Sequence, residues 1–86
     1  MNPYEADNWE EVESTNIAAV GSRDRYLIVK FLKGGVAYRY SGAASEFEAL
    51  IHAESVGRYF AKEIKPQYGC EKLPSEESGW PERDEY

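Results

Sequence analysis

The feature that most constrains the fold is a pair of apolar segments separated by two glycines. Tyr26–Leu32 is rich in β-branched and aromatic residues and alternates between two faces, as a half-buried strand does. Residues 33–35 follow, and their glycines supply the positive φ angles that a tight turn requires. Val36–Tyr40 then returns with Tyr38 and Tyr40 on the same face. The pattern predicts an antiparallel β-hairpin.

A third strand is predicted on the N-terminal side of this hairpin. Asn16–Val20 is short and mostly apolar, and it is predicted to end at Gly21. The residues after it, 21–24, are typical of a turn. The sheet is therefore expected to contain three antiparallel strands.

Two helices are predicted after the hairpin. Ser45 is suited to cap the first, which is expected to end near Ala53, and Glu48 completes a capping box. Ser55 is suited to cap a second helix over residues 56–64. The expected fold is α+β, with a small three-stranded antiparallel sheet and two helices packed on one face.

Length and charge favour one domain between two acidic ends. The chain has 86 residues and a net charge of −6, which suits a single domain. Bases outnumber acids in the centre of the chain, whereas acids dominate both ends. We expect an acidic N-terminal arm over residues 1–11, the domain over residues 12–69, and an acidic, mobile tail over residues 70–86. Trp80 is expected either to move with that tail or to close over a pocket.

The composition disfavours several classes of protein. Cys70 is the one cysteine, so no intrachain disulfide can form, which fits a reducing, cytoplasmic location. His52 and Cys70 are the only soft metal ligands, and we expect neither a metal nor another cofactor. With one histidine no Ser–His–Asp set can be proposed, so His52 is expected to be a structural or a surface residue and no enzyme is expected.

We expect no membrane-spanning segment, and we expect the chain to self-associate. No apolar run approaches the ~20 residues that a membrane span needs. Residues 1–14 lack the basic and then apolar pattern of a signal peptide. A chain this short buries only ~60% of its unfolded surface, so we expect it to gain buried area as a homo-oligomer, a dimer or a tetramer.

Short motifs occur in order along the centre of the chain, around the apolar strand. They are Ser14-x-Asn16-Ile17-x-x-Val20-Gly21, Gly35-Val36-x-Tyr38-x-Tyr40, Phe47-x-x-Leu50, Ser55-x-Gly57-x-Tyr59-Phe60 and Ile64-Lys65. As a set they resemble the KTSC domain over about residues 12–68. That family occurs in small bacterial and phage proteins and as an appendage of some lysyl-tRNA synthetases.

The resemblance implies a binding module. The synthetase appendage implies RNA binding, and similar small phage proteins look like sponges that hide cyclic nucleotide immune signals from the host. We therefore expect non-enzymatic binding of a small nucleotide-like anion, such as a cyclic dinucleotide, at a subunit interface. Single-stranded RNA binding is an alternative that the acidic net charge disfavours. A protein-interaction adaptor that uses an exposed strand edge is another.

Tyrosines and two polar residues are candidate contacts to a base. Tyr38, Tyr40 or Tyr59 offers a ring for stacking, although packing in the core remains open for the strand tyrosines. Ser14 and Asn16 are suited to hydrogen-bond a base edge or a ribose, or else are turn residues.

Phosphate contacts are predicted near the second helix. Ser55 and Arg58 lie at its start and Lys65 follows its end. The alternative there is an ordinary capped helix, with Gly57 allowing close approach of a neighbouring segment. Arg39 is expected on the solvated face of the hairpin.

Overall fold

The structure is a computed structural model that describes residues 6–73. Its strands are β1 (Asn8–Glu11), β2 (Ile17–Arg23), β3 (Tyr26–Phe31), β4 (Ala37–Ser41) and β5 (Cys70–Lys72). They form one antiparallel sheet in the order of the chain. The α+β class with two helices is confirmed, whereas the prediction of three strands is wrong, because the described residues form a sheet of five.

The two additional strands come from the segments predicted as acidic ends. In β1, Trp9 lies opposite Gly21 of β2, and in β5, Glu71 lies opposite Arg39 of β4. Most side chains of these two strands are exposed, so their residues show no apolar alternation. Backbone hydrogen bonds to a neighbouring strand form whatever the side chain, and tertiary context therefore decides such edge strands.

Gly21 does not end its strand, as the sequence had predicted. β2 continues to Arg23, and the turn falls at Asp24, whose φ is 55°. A Cβ atom on Gly21 would lie 2.5 Å from Trp9 Cε3 and 2.8 Å from the Asn8 carbonyl oxygen. The glycine is therefore needed because β1 packs closely against it, and not because the chain turns there.

The central hairpin is confirmed to within one residue at its strand ends. Between β3 and β4, residues 33–35 form a 3-10 turn in which Gly34 and Gly35 have φ angles of 73° and 62°. The Phe31 N–H closes the turn by donating to the Val36 carbonyl oxygen at 2.8 Å. Positive φ angles are strained for other residue types, which explains the two glycines.

The first helix begins later than predicted. A 3-10 turn, Ala44–Glu46, precedes helix α1 (Phe47–Ile51), and Glu46 occupies the N-cap position without a side-chain capping bond. The predicted capping box is therefore wrong, because Ser45 lies inside the 3-10 turn. The core side of α1 is formed by Phe47 and Leu50.

The second helix changes its winding half-way. Helix α2 (Val56–Tyr59) continues directly into a π-helical segment, Phe60–Ile64, called the π segment below. Ser55 is confirmed as its cap, since its Oγ accepts a hydrogen bond from the Arg58 N–H at 3.3 Å. The Lys65 N–H donates to the Phe60 carbonyl oxygen at 2.8 Å, which is the i to i+5 bond of a π-helix.

The main core lies between the sheet and the helices. Its buried residues are Ile17, Val20, Leu27, Val29, Tyr40, Ala43, Phe47, Leu50, Val56, Phe60 and Ile64. The opposite face of the sheet carries a smaller buried cluster of Ile28, Ala37 and Leu73, with Trp9 and Tyr26 packed against it. Both faces of the sheet are therefore at least partly covered.

Arg39 is buried on that second face, so the expectation that it is solvated is wrong. Only 7% of the residue is exposed. Its Nη2 donates to Glu71 Oε1 at 2.7 Å, and its guanidinium lies 4.5 Å from the centre of the Tyr26 ring. The carboxylate that makes this burial tolerable comes from β5, a strand that the sequence did not predict.

Candidate functional site

A pocket of about 360 Å³ lies between the sheet and the π segment, and we call it the aromatic pocket. It is lined by Asn16, Phe31, Tyr38, Tyr40, Phe60, Ala61, Lys65 and Cys70. Four of the eight predicted ligand residues are in that set. Its volume falls at the lower end of the ~300–1,000 Å³ range of small-molecule sites.

Four rings form an edge-to-face chain along this pocket. Tyr40 and Phe60 have ring centres 5.3 Å apart, and Phe31 lies 5.6 Å from Phe60 and 6.0 Å from Tyr38. Tyr40 and Phe60 are only 4% and 3% exposed, whereas Tyr38 and Phe31 are partly exposed. The two strand tyrosines therefore differ: Tyr40 belongs to the core beneath the pocket, and Tyr38 is open to it.

The Tyr40 hydroxyl is held in its neutral form. Burial raises its pKa above the usual value, and the neighbouring Cys70 side chain raises the pKa further. Cys70 lies beside Tyr40 because β5 pairs with β4 in the register Tyr40 opposite Cys70. At neutral pH Tyr40 therefore presents a hydroxyl group to the pocket and no phenolate.

Lys65 supplies a cation to the aromatic pocket. It directly follows the π segment, is exposed, and is the one charged side chain among the described residues that line the pocket. An ammonium group binds phosphate oxygens as a point charge with three donors. The pocket therefore combines apolar walls with a single positive charge.

Ser14 and Asn16 form a local turn that packs on the second helix. The Ser14 hydroxyl donates to Asn16 Oδ1 at 2.9 Å, and its oxygen accepts from the Ile17 N–H at 3.3 Å. A Cβ atom on Gly57 would lie 2.7 Å from Asn16 Oδ1 and 3.2 Å from Ser14 Oγ. Because Gly57 has no side chain, Ser14 and Asn16 can pack closely against α2. Asn16 also lines the aromatic pocket.

The other predicted phosphate contacts lie in a separate hollow, called the helix-start pocket below. It has a volume of about 220 Å³ and is lined by Ala53, Glu54, Ser55, Arg58, Tyr59, Lys62 and Glu63. Its described lining residues and those of the aromatic pocket do not overlap. The structure therefore divides seven of the eight predicted residues between two places, and Ser14 is not among the described lining residues of either.

Tyr59 is tied into a hydrogen-bonded cluster. Its hydroxyl donates to Glu46 Oε1 at 2.7 Å, and the Tyr68 hydroxyl donates to Glu46 Oε2 at 2.9 Å. These hydrogen bonds to Glu46 are the main reason that the pKa values of both tyrosines are raised. The prediction that Tyr59 stacks on a base therefore competes with a role in joining the turn before α1 to α2.

Sequence reasoning missed several residues of these sites. Phe31 and Ala61 carry no polar group that would have singled them out, and Cys70 lies in a strand that was not predicted. Glu46 meets its partners across 13 and 22 residues of sequence, so no local spacing indicates the cluster. The predicted closure by Trp80 falls outside the described residues.

Residues 6–73 show neither a candidate membrane span nor a candidate metal cluster. Within that range no helix is long and apolar enough to cross a membrane. The same residues include no group of three or more His, Cys, Asp or Glu side chains placed to hold a metal ion. His52 is exposed, and its Nδ1 lies 2.9 Å from the Glu48 carbonyl oxygen.

Comparisons with known proteins identify relatives. The family model of the KTSC domain matches residues 13–68. The crystal structure of the KTSC domain protein YPO2434 from Yersinia pestis is similar, with a TM-score of 0.64 and 30% sequence identity. The similarity covers 78% of this chain and 97% of that one. No curated protein matches the sequence. Strands β1 and β5 lie outside the matched range of the family model.

Proposed function

This chain belongs to the KTSC domain family, and we propose that it is a non-enzymatic module that binds a small nucleotide-like anion in the aromatic pocket. The observation that carries the proposal is that aromatic rings, one ammonium group and one amide line the same pocket. A nucleotide presents a flat base, a phosphate and hydrogen-bonding edges. The aromatic rings, the ammonium group and the amide are suited to bind these three parts, in that order.

The base is assigned to Tyr38. Its ring is partly exposed, whereas Tyr40 and Phe60 beneath it are buried. Stacking of one base on an aromatic side chain contributes ~1–3 kcal/mol. The buried rings hold the pocket rigid, which lowers the entropy lost when a ligand binds.

The phosphate is assigned to Lys65 and a base or ribose edge to Asn16. Lys65 extends from the end of the π segment, and Asn16 from the turn before β2. A π-helical turn is rare and occurs frequently at functional sites, which supports a role for this end of the helix. With one cation in the pocket, affinity depends on fit and stacking more than on net charge, so binding should survive moderate salt.

The biological role proposed for this binding is sequestration of a cyclic nucleotide immune signal, as the family resemblance implies. A sequestering protein needs affinity and no turnover. The proposal includes assembly as a homo-oligomer with the ligand at a subunit interface, because a two-fold symmetric ligand is complementary to a two-fold symmetric protein.

A thermal-shift screen of the full chain tests the proposal. The ligands are cyclic dinucleotides, cyclic trinucleotides, cyclic ADP-ribose-type compounds and short oligoribonucleotides. A ligand present at ~100 times its dissociation constant stabilises the fold by ~2.7 kcal/mol. That corresponds to about 10 °C or more in Tm for a domain of this size.

The expected result is a shift with a small nucleotide that is recovered chemically unchanged. Lys65→Gln should lower the shift by about half or more, whereas Lys62→Gln, which changes a lysine of the helix-start pocket, should keep it. A shift only with oligonucleotides that grows with their length would replace the proposal by RNA binding. The lack of any shift from a folded protein would favour the adaptor function.

A further inference from the structure

We infer that the aromatic pocket accepts one nucleotide unit, a single base with a single phosphate, so that a cyclic dinucleotide is shared by the pockets of two chains. This inference rests on the proposed function and specifies the ligand of that same site. It specifies how many chains bind one ligand molecule.

Charge is the first reason. Among the described lining residues, Lys65 is the one basic residue and there is no Asp or Glu; the rest have aromatic, aliphatic, amide or sulfur-containing side chains. A second phosphate in the same pocket would be brought against aromatic rings without a cation of its own. Burying an unpaired anion is costly, so the second phosphate is excluded.

The rings give the second reason. Tyr40 and Phe60 are buried and packed edge to face with each other. Phe31 is already engaged by ring contacts with both Phe60 and Tyr38. Tyr38 lies at the exposed end of this row of rings, so its ring offers a stacking surface for one base. A pocket of about 360 Å³ at the lower end of the usual range agrees with one unit.

The winding of the helix gives the third reason. Ala61 and Lys65 line the aromatic pocket, whereas Arg58 and Lys62 line the helix-start pocket. The members of each pair are four residues apart, and the π segment contains Ala61 and Lys62. Its wider winding turns Lys65 away from Arg58 around the helix axis. The cations of the second pair also lie beside Glu54 and Glu63. They are therefore poorly placed to serve a second phosphate of the same ligand.

The position of the pocket allows a second chain to supply what one chain lacks. Cys70 lines the pocket, and its strand, β5, is the last in the order of the sheet formed by the described residues. The pocket is thus close to a sheet edge. A second copy approaching that edge can place its own Lys65 and Tyr38 on the other half of a two-fold symmetric ligand.

Isothermal titration calorimetry on the full chain tests the inference. The probes are the four ribonucleoside 5′-monophosphates and cyclic di-AMP, cyclic di-GMP and cyclic GMP–AMP, with native mass spectrometry to count ligands per chain. We expect a monophosphate to bind at one per chain and a cyclic dinucleotide at one per two chains, whatever the size of the oligomer. Lys65→Gln should weaken both by about tenfold or more, as for one charged hydrogen bond. Lys62→Gln should change neither by more than about twofold.

The outcomes separate the inference from the proposed function. A cyclic dinucleotide bound at one per chain would overturn the inference, because one pocket then holds both units, while nucleotide binding would stand. Binding that Lys62→Gln weakens and Lys65→Gln leaves intact would overturn the assignment of the phosphate. If no monophosphate and no cyclic dinucleotide binds to folded protein, both the inference and nucleotide binding at this pocket fail.

Discussion

The two faces of the sheet differ in which parts of the chain complete them. The face beneath the helices is filled by residues of the family-matched range, and it carries the aromatic pocket. The opposite face is completed by Trp9, Glu71 and Leu73, which come from the acidic segments on either side of that range. The comparison teaches that the family-matched range provides the lining of the aromatic pocket except for Cys70, whereas the segments that flank this range help to cover the other face and extend the sheet at both edges.

A matched pair of truncations should show that the helix-covered face carries more of the stability. Leu27 is fully buried on that face, and Leu73 is 4% exposed on the other. We expect Leu27→Ala to lower the free energy of unfolding by ~3–5 kcal/mol, and Leu73→Ala by ~2 kcal/mol, because the segment around Leu73 can collapse into the space. Urea denaturation measures both. Equal losses would show that the two faces contribute alike.

Removal of the carboxylate on the second face should have an intermediate effect. Arg39 has a side chain that is 9% exposed, and its partner Glu71 has one that is 55% exposed. Glu71→Ala is expected to cost ~1–2 kcal/mol of stability, because it leaves a buried guanidinium without its carboxylate. Lys72→Ala, an exposed neighbour in β5, should stay within ~0.5 kcal/mol.

A double change isolates the pair itself. Replacing Arg39 by Met together with Glu71→Ala should recover part of the loss, since the buried charge that lost the Glu71 carboxylate is then gone. If Glu71→Ala and Lys72→Ala destabilise the protein equally, the ion pair is not what holds β5 on the sheet.

Substitution of Gly57 should change the stability of the fold only slightly and should also affect the aromatic pocket. Alanine is favoured over glycine in a helix by ~1 kcal/mol. At this site the new Cβ would lie 2.7 Å from Asn16 Oδ1, so the Asn16 side chain must move. We expect Gly57→Ala to change the free energy of unfolding by less than ~0.5 kcal/mol, as the two effects offset each other, and to weaken nucleotide binding several-fold.

The same substitution in an Asn16→Ala background is the control. Part of the obstruction is then absent, and Gly57→Ala should stabilise the protein by ~0.5 kcal/mol or more relative to Asn16→Ala alone. A Gly57→Ala variant with unchanged nucleotide affinity would indicate that the position of Asn16 does not matter for the ligand.

A pH-dependent effect on stability is expected at alkaline pH. The folded-state pKa of Tyr40 is raised by burial and by Cys70, so folding favours the neutral hydroxyl. The unfolded chain therefore releases protons first, above its ordinary pKa of ~10, and stability is retained below that pH and falls above it. Chemical denaturation between pH 9 and pH 11 measures this fall, which Tyr40→Phe should lessen. Equal slopes for the two proteins would mean that the ionisation of Tyr40 is not coupled to folding.

The elements that the sequence predicted are those with local signals. The hairpin follows from the alternation of Tyr26–Leu32 and from the glycines that need positive φ angles. The start of α2 follows from the cap that Ser55 provides. These signals depend on residues a few positions apart, so one sequence is enough to find them.

The parts of the fold that the sequence did not predict depend on contacts between residues that are distant along the chain. The edge strands, the burial of Arg39 and the Glu46 cluster each require knowledge of which segments meet in the fold. The candidate site shows the same division. Tyr38, Asn16 and Lys65 were found by residue type, whereas the π segment that separates Lys65 from Arg58 has no simple sequence signature.

The most direct test of the account is an NMR titration of the ¹⁵N-labelled full chain with the nucleotide that gives the largest thermal shift. Binding in the aromatic pocket predicts that the backbone amide signals of Asn16, Tyr38, Ala61 and Lys65 change most. Those of Ser55, Arg58 and Lys62, in the helix-start pocket, should change little. Changes centred on Ser55, Arg58 and Lys62 instead would contradict the account and place the ligand at the start of the second helix.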